Sequence, residues 1–348
     1  MNFKKLYIEK VVYPAMNILQ DSRVTRYTKE LQATETMPME QRTAQLRQKL
    51  SELLLLCRSE VPVYAGLSFT DLDLRREPLD CLQAVDPVLL ADFLGSAPEF
   101  LRQDADLDGL QHRICGGPQK AKIYLTQEQI ERCEAARWRG LSWYGVTYGS
   151  PSVLLWDRPR SPFVLQEEPY MKNRLSLSVC AMTNRTVELT AREIDNFQPE
   201  YITGGIKALN LMADAMLKTG IRLERTPKVV TVTKGLASVD DRKRLEDAFR
   251  CPVAQVLSGR VEGLMAYMCQ EGHLHVTAEH CYVELLDPKT WTPVSPGQRG
   301  LIAVTNLLDE TMPHLRVILD YTAIQRQEPC PCGRTLPVLE QVQRVISA

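Results

Sequence analysis

Apolar residues recur at helical spacing in two parts of the chain's first half. Between residues 38 and 58 the apolar positions follow the i, i+3, i+4, i+7 pattern of an amphipathic helix: Leu46, Leu50, Leu53, Leu54 and Cys57. Thr126 begins a Thr-Gln-Glu-Gln pattern, which is typical of a capping box at the start of a second helix. Gly140 and Gly145 are predicted to end that helix.

Strand and helix patterns alternate in the next part of the chain. Lys228–Thr233 and Pro252–Leu257 read as short buried strands, and Ser238 caps a helix between them. This rhythm predicts an α/β fold in which helices flank a parallel sheet. Residues 276–286, 300–307 and 315–324 then predict a smaller β-rich subdomain. The predicted organisation is an N-terminal extension (1–36), an α/β core (37–268) and the β-rich subdomain (269–348).

Composition and charge narrow the classes of partner. The 348 residues are 44% hydrophobic, which is enough to bury a substantial core. Forty-two basic residues nearly balance 43 acidic ones, so the chain lacks the charge imbalance expected of a nucleic-acid or membrane-surface binder. No apolar run reaches the length that spans a bilayer, and no signal peptide opens the sequence. We therefore expect a cytoplasmic protein whose partners are small molecules or proteins.

Several short segments resemble, in order, the phenylacetate-CoA ligase and capsule-biosynthesis branch of the adenylate-forming (AMP-binding) superfamily. They are Glu60–Tyr64, Leu82–Phe93, Lys122–Thr126, Arg137–Gly140, Pro199–Ile202, Gly263–Tyr267, Thr305, Met312–Pro313 and Cys330–Arg334. The resemblance implies the N-terminal domain of that fold. It also implies ATP-dependent activation of a carboxylate to an acyl-adenylate, usually followed by transfer to a thiol.

The chain departs from the phosphate-binding part of this resemblance. A Ser/Thr/Gly-rich loop is expected before Lys122, because amides and hydroxyls must surround the triphosphate oxygens. The equivalent stretch, Ile114–Lys120, is short and has no hydroxyl side chain. Gly116 and Gly117 offer a tight turn there, either as remnants of a phosphate loop or as a plain turn before a strand.

Two alignments with the family are possible at the position where the family holds magnesium. An ungapped comparison places Val261 where the family has a glutamate, which removes the metal ligand. A shift of one residue places Glu262 there and retains Gly259, but it disturbs the register with Gly263 and Tyr267. The ungapped version is preferred, since an insertion at a buried strand-to-helix turn would reverse side-chain direction.

The remaining positions at which the family binds the nucleotide match its pattern only in part. Thr233 and Lys234 stand where the family has an adenine-side Gly-Glu pair. Asp320, preceded by Arg316, resembles the ribose-binding aspartate, whose two oxygens can accept from both ribose hydroxyls. Residues 343–345 resemble the approach to the family's hinge, so the mobile C-terminal domain and its lysine are expected to be absent.

Cys269, His275, Cys330 and Cys332 form a candidate metal site. Cys330-Pro-Cys-Gly resembles a zinc knuckle, with two thiolates one residue apart on a turn. Three thiolates and an imidazole make a closed tetrahedral set for a structural zinc. Relatives of this type carry a similar Cys-His-Cys-Cys cluster. Two alternative ligands are His273 and Cys281, and the plain alternative is a group of free thiols in loops.

These features predict a truncated adenylate-forming protein that acts on or binds an aromatic or acyl carboxylate, or its thioester, in a biosynthetic pathway. ATP and magnesium binding is expected to be impaired or lost. One alternative is an active ligase that works with a partner enzyme or carrier protein, and another is a non-catalytic scaffold. His112 and His314 lack a carboxylate or nucleophile in any recognisable motif, so neither is expected to be a general base.

Overall fold

The computed structural model describes residues 7, 11, 23–115, 120–159, 173–259 and 261–345. These residues form two compact units that alternate along the chain. The first unit contains the described residues within Met1–Thr28, Arg137–Leu257 and Tyr267–Gly272, and the second contains those within Lys29–Ala136, Ser258–Ala266 and His273–Ala348. The predicted boundaries at residues 36 and 268 stay a prediction. The two compact units are divided at other residues.

The helices are distributed over the whole described chain. They are α1 (Val24–Ala33), α2 (Met39–Glu60), α3 (Asp71–Arg76), α4 (Pro78–Gln83), α5 (Leu90–Gly95), α6 (Gln127–Ser142), α7 (Asn184–Phe197), α8 (Ile206–Thr219) and α9 (Val239–Phe249). None of the described helices combines the length and apolar character needed to cross a bilayer.

The strands fall into a parallel group and a mainly antiparallel group. They are β1 (Val88–Leu89), β2 (Gln111–Cys115), β3 (Ala121–Leu125), β4 (Ser152–Trp156), β5 (Arg174–Ser178), β6 (Tyr201–Gly205), β7 (Val229–Lys234), β8 (Val253–Gly259), β9 (Gly263–Met268), β10 (Leu274–Val276), β11 (Cys281–Leu286), β12 (Arg299–Asn306), β13 (Val317–Gln325) and β14 (Val338–Arg344).

The first unit is built on a parallel sheet in the order β5-β4-β6-β7-β8. Its core joins the apolar faces of these strands to helices α7, α8 and α9. Leu209, Met212 and Val230 are fully buried in that core. Strands buried against helices lose the alternating pattern and become continuously apolar, as in Val229–Val232. The α/β class predicted from the sequence is confirmed.

The second unit contains an antiparallel arrangement in the order β11-β12-β13-β14-β10. The short strand β1 adds to β13 in parallel, and β2 and β3 form a separate hairpin. The sequence pattern indicated one strand over residues 276–286, but the structure divides it into β10 and β11. The break is a turn in which the N–H groups of His280 and Cys281 both donate to the carbonyl of Thr277.

The predicted capping box at Thr126 and the predicted helix cap at Ser238 are both present, and each forms a capping box. Thr126 N–H donates to Gln129 Oε1 at 2.7 Å, and Gln129 N–H donates back to Thr126 Oγ1 at 3.1 Å. Ser238 and Asp241 exchange the same pair of bonds at the start of α9. Each box satisfies two amides that a helix start leaves without intrahelical partners.

The prediction that Gly140 ends a helix is wrong. Gly140 lies inside α6, which runs to Ser142, and Gly145 follows with φ +72°. A Cβ on Gly140 would overlap the Tyr267 ring. The absence of a side chain at Gly140 therefore allows the ring to pack against the helix, and the glycine does not end the helix. Sequence spacing carries no signal for such a long-range contact.

Gly140→Ala is expected to destabilise the protein although alanine is the better helix former. The propensity gain is about 1 kcal/mol, whereas forcing a methyl group against a buried ring costs about 1–3 kcal/mol or more. Urea unfolding should therefore show a lower free energy of unfolding. Gly66→Ala is the matched control, since its Cβ would have no neighbour within 4 Å. A Gly140→Ala protein at least as stable as the wild type would contradict this packing.

Candidate metal centre

Four side chains converge at the turn that follows β9. Cys269 follows the end of β9, Gly272 turns the chain with φ +78°, and His275 lies in the middle of β10. Cys330 and Cys332 reach the same place from the loop between β13 and β14. The ligand atoms of these four residues all lie within 4.8 Å of one another. Such a group could hold a metal ion.

The knuckle itself is a tight turn. Gly333 N–H donates to the carbonyl of Cys330 at 3.0 Å, and Gly333 has φ +81°, a conformation that suits glycine. This turn aims both thiols at His275, whose Nε2 lies 3.3 Å from Cys332 Sγ. Ligands of a tetrahedral zinc lie roughly 3.5 Å apart, given bonds of 2.0–2.3 Å. The spacing of the group is therefore compatible with one ion.

Burial differs among the four residues. Cys269, His275 and Cys330 are buried, and Cys332 is partly exposed. Burial raises the pKa of the Cys332 thiol, but hydrogen bonds involving the Arg334 backbone and Cys330, together with the Arg334 charge, outweigh it and leave the pKa below its ordinary value. A lowered pKa favours the thiolate, which is the form that binds metal.

His273, the alternative imidazole, has a different place. Its Nδ1 lies 3.2 Å from Cys330 Sγ, and its Nε2 lies 3.5 Å from Glu340, which also accepts from Arg326 at 2.6 Å. His273 thus stands behind a candidate ligand rather than among the four. An outer imidazole–carboxylate pair of this kind orients a ligand and tunes its charge. The sequence did not indicate this contact, because only the pairing of β10 with β14 brings Glu340 near His273.

Cys281, the alternative thiol, also lies outside the group. It is buried, and its sulfur is 3.6 Å from the carbonyl of Thr277 and 3.9 Å from that of Met265. Its thiol is therefore turned toward backbone carbonyls.

Arg316 is fully enclosed by the protein. Its Nε donates to Glu284 at 3.1 Å, and its Nη1 donates to the carbonyls of Gln83 and Val85 at 2.8 and 2.6 Å. Only 2% of the residue is exposed. These contacts give no support to its predicted place beside a ribose. Asp320 is exposed on β13, and its predicted ribose role stays a prediction.

Gly259 and Glu262, the residues of the shifted alignment, contact each other. A Cβ on Gly259 would fall 1.6 Å from Glu262 Oε2, so only glycine leaves room for that carboxyl. Glu262 is 5% exposed and Val261 is 3% exposed. Gly116 and Gly117 lie outside the described residues. Thr233 Oγ1 donates to the carbonyl of Gly204 at 3.2 Å, and Lys234 is exposed.

Glu262 lies in a buried polar region of the second unit. Burial raises the pKa of its carboxyl, and His314 and nearby backbone amides offset only part of this effect. Glu262 Oε1 has no hydrogen-bond partner among the described residues. The adjoining cavity of about 20 Å³ has room for roughly one water molecule.

His314 has a carboxylate neighbour that the sequence did not reveal. It is fully buried, and its Nδ1 lies 3.9 Å from Asp309 Oδ2 and 3.3 Å from the carbonyl of Met312. No sequence motif indicated this neighbour, and the expectation that His314 is not a general base stays a prediction. His112 is exposed on β2 opposite Tyr124.

Comparisons with known proteins agree with this fold. No protein-family model matches the chain. Phenylacetate-coenzyme A ligase of Thermus thermophilus is 24% identical over 170 residues, which are 46% of this chain and 37% of that protein. The match thus spans little more than a third of that ligase.

Two crystal structures of 2-hydroxyisobutyryl-CoA ligase superpose with a TM-score of 0.71 and 16% identity. The open conformation with 2-HIB-AMP and CoA covers 88% of this chain and 75% of the ligase. The thioesterification state covers 90% and 70%. At this identity the likeness shows the fold. The chain has the adenylate-forming fold and resembles phenylacetate-CoA ligases.

Glu262→Gln is expected to change the pH dependence of stability. Because the folded-state pKa is raised above the ordinary value of 4.5, the stability that depends on the neutral carboxyl is complete below that value. This stability is lost as the pH rises through the folded-state pKa. The amide is neutral at every pH, so wild type should lose stability relative to Glu262→Gln as the pH is raised from below 4.5 into the neutral range.

Urea unfolding of both proteins across that range measures the effect. Glu310→Gln, at an exposed glutamate of the same unit, is the matched control. A wild-type and Glu262→Gln difference that stays constant with pH would contradict a neutral buried carboxyl.

Proposed function

We propose that this chain binds an aromatic or acyl carboxylate, or its thioester, through an adenylate-forming fold and does not form acyl-adenylates unaided. The observation that carries the proposal is the environment of Glu262. It is the one carboxylate in residues 258–263, it is 5% exposed, and burial raises its pKa. An enclosed carboxyl with a raised pKa is a poor ligand for Mg²⁺, which prefers ionised oxygens and retains several waters.

The similar proteins support the ligand class. The structures of 2-hydroxyisobutyryl-CoA ligase contain an acyl-adenylate and CoA. This chain shares their fold, which supports the proposal that it has a site for a carboxylate or a thioester. The site chemistry decides which steps survive. A role in a biosynthetic pathway and a cytoplasmic location belong to the same proposal.

We further propose that Cys269, His275, Cys330 and Cys332 hold a structural zinc. All four coordination positions would come from protein side chains, which leaves none open for substrate. The metal would close the loop from His275 to Cys330 and contribute its binding energy to folding.

Purified protein is expected to contain close to one zinc per chain by mass spectrometry of metals. Cys332→Ser and His275→Ala should abolish stoichiometric zinc and lower the melting temperature, because each removes a ligand. His273→Gln is the matched imidazole control, and it should retain zinc. Cys180→Ser, at an exposed cysteine, is the thiol control. A stable wild type without metal would refute the zinc proposal.

Magnesium-ATP is expected to bind more weakly than about 1 mM. Each missing charge-assisted contact to phosphate removes roughly 1.5–3 kcal/mol, and the metal bridge is weakened as well. Calorimetry should show no saturation, and carboxylate-dependent pyrophosphate exchange should be absent. Micromolar ATP affinity that is lost in Asp320→Ala would restore the active-ligase alternative.

The ligand side is tested by thermal shift with AMP, aromatic acids and acyl thioesters. Stabilisation by an acid or a thioester, without ATP binding, would support the proposed function. Binding of none of these compounds would favour the scaffold alternative. Exchange activity that appears only with an added carrier protein or partner enzyme would support a ligase that works with a partner.

A further inference from the structure

The second unit contains a cavity of about 500 Å³ between helix α2 and the β-rich sheet. Leu46 of α2 lines one wall, and Val276 and Val338 of the sheet line another. The volume lies within the range of roughly 300–1,000 Å³ typical of small-molecule sites. Glu262 and Asp320 do not line the cavity, which is therefore separate from the residues discussed for nucleotide binding.

Strand β11 has a free edge beside its pairing with β12, which is continuous over all six residues of the strand. An isolated bridge between Leu286 and Pro293 lies on the other side of the strand, where the carbonyl of Leu285 accepts from the N–H of Val294 at 2.8 Å. Because main-chain groups alternate in direction along a strand, the N–H and C=O of Val283 point to this same side, away from β12.

Three main-chain groups on this side have no hydrogen-bond partner among the described residues. They are the N–H and C=O of Val283 and the N–H of Leu285. Both ends of the stretch are used, since Cys281 N–H donates to the carbonyl of Thr277 at 3.1 Å and the carbonyl of Leu285 accepts from Val294. A strand edge with unpaired groups is a template for another extended chain, and this edge has room for about three residues of one.

The unpaired stretch borders the cavity. Val283 and Leu285 line the cavity, and so does Tyr282 between them. Side chains alternate along a strand, so Tyr282 shares the opposite face of β11 with Glu284, which accepts from Arg316. Neither Glu284 nor Arg316 lines the cavity, so the cavity does not lie on that face. It therefore reaches Tyr282 at the main chain and follows the free edge of the strand.

The other walls favour an apolar and uncharged ligand. Leu46 is half-buried, and Val276 and Val338 are buried, so apolar groups lose contact with water on entering. The arginines that line the cavity are paired with glutamates: Arg42 with Glu279 at 3.1 Å, Arg326 with Glu340 at 2.6 Å and Arg334 with Glu35 at 3.0 Å. A carboxylate on the ligand would have to compete with these glutamates after losing its own water.

We propose that this cavity binds a short apolar peptide, which adds to the free edge of β11 as an extra strand of about three residues. In an antiparallel arrangement, the N–H and C=O of one ligand residue pair with the C=O and N–H of Val283, and the carbonyl two residues earlier accepts from Leu285 N–H. The ligand thereby satisfies the three unpaired main-chain groups. This site does not depend on the carboxylate or thioester site of the proposed function.

The probe is the blocked peptide acetyl-Ala-Val-Ala-amide, whose valine carries the groups that pair with Val283. Calorimetry should show one site per chain with a Kd below about 1 mM. Methylation of the valine nitrogen removes the donor and should weaken binding at least about tenfold. Methylation of the next nitrogen, whose N–H points away from β11, should change binding less than about threefold. Acetyl-Ala-Asp-Ala-amide should bind at least about tenfold more weakly, because its carboxylate is desolvated. Equal binding of the two methylated peptides would overturn the proposal.

Variants locate the site. Val283→Pro removes the outward N–H without removing a bond to β12, and should weaken binding of the blocked peptide at least about tenfold. Val283→Thr keeps the N–H and the shape of the side chain, so it should bind as the wild type does. Leu46→Trp fills the cavity and gives the same test if the proline variant does not fold, and Leu55→Trp, at an exposed position of the same helix, is its control. A wild type that does not bind the blocked peptide, or a filled variant that binds it equally well, would overturn the proposal.

Discussion

The β-rich part of the second unit depends on keeping one buried guanidinium fully bonded. Arg316 enters β13 with φ +51° and donates to Glu284 on β11 and to the carbonyls of Gln83 and Val85. A buried cation that loses its partner costs about 3–5 kcal/mol, so these segments must assemble together or not at all. The same bonds fix the position at which β1 joins β13, with Val88 paired to Val317. Burial raises the pKa of Glu284, and Arg316 opposes that effect.

Two buried glutamates of this unit, Glu284 and Glu262, differ in the groups that act on the pKa of the carboxyl. Oε1 of each glutamate lacks a hydrogen-bond partner among the described residues, but Glu284 Oε2 accepts from Arg316, whereas Glu262 lines a water-sized cavity. Burial raises the pKa of both carboxyls. The Arg316 charge and its hydrogen bond oppose this effect at Glu284, whereas the His314 charge and backbone amides oppose it at Glu262. Only the alternative, shifted alignment puts Glu262 at the magnesium position, and an enclosed carboxyl with a raised pKa is poorly suited to that role.

Local signals were the part of this structure that the sequence could predict. Capping boxes at Thr126 and Ser238 depend on residues three apart, and the parallel strands on short apolar runs, so both were visible in the sequence. The four metal candidates, with His275 preferred to His273, could be named from the Cys330-Pro-Cys-Gly pattern and the family resemblance, but the contact of His273 with Glu340 required the pairing of β10 with β14. Gly140 was misjudged, because the ring that it accommodates lies 127 residues away in the chain (140 to 267). The cavity beside Arg42 could not be predicted from the sequence, because it arises from the packing of α2 against the β-rich sheet.

The knuckle, helix α2 and the cavity are joined by hydrogen bonds within the second unit. Thr335 N–H donates to the carbonyl of Glu35 at 2.9 Å and its Oγ1 to that of Met37 at 2.7 Å, while Arg334 pairs with Glu35. These bonds attach the chain just before α2 to the residues that follow Cys332. A metal at the knuckle would therefore also support the attachment of α2, because the residues that follow Cys332 hold the segment before that helix.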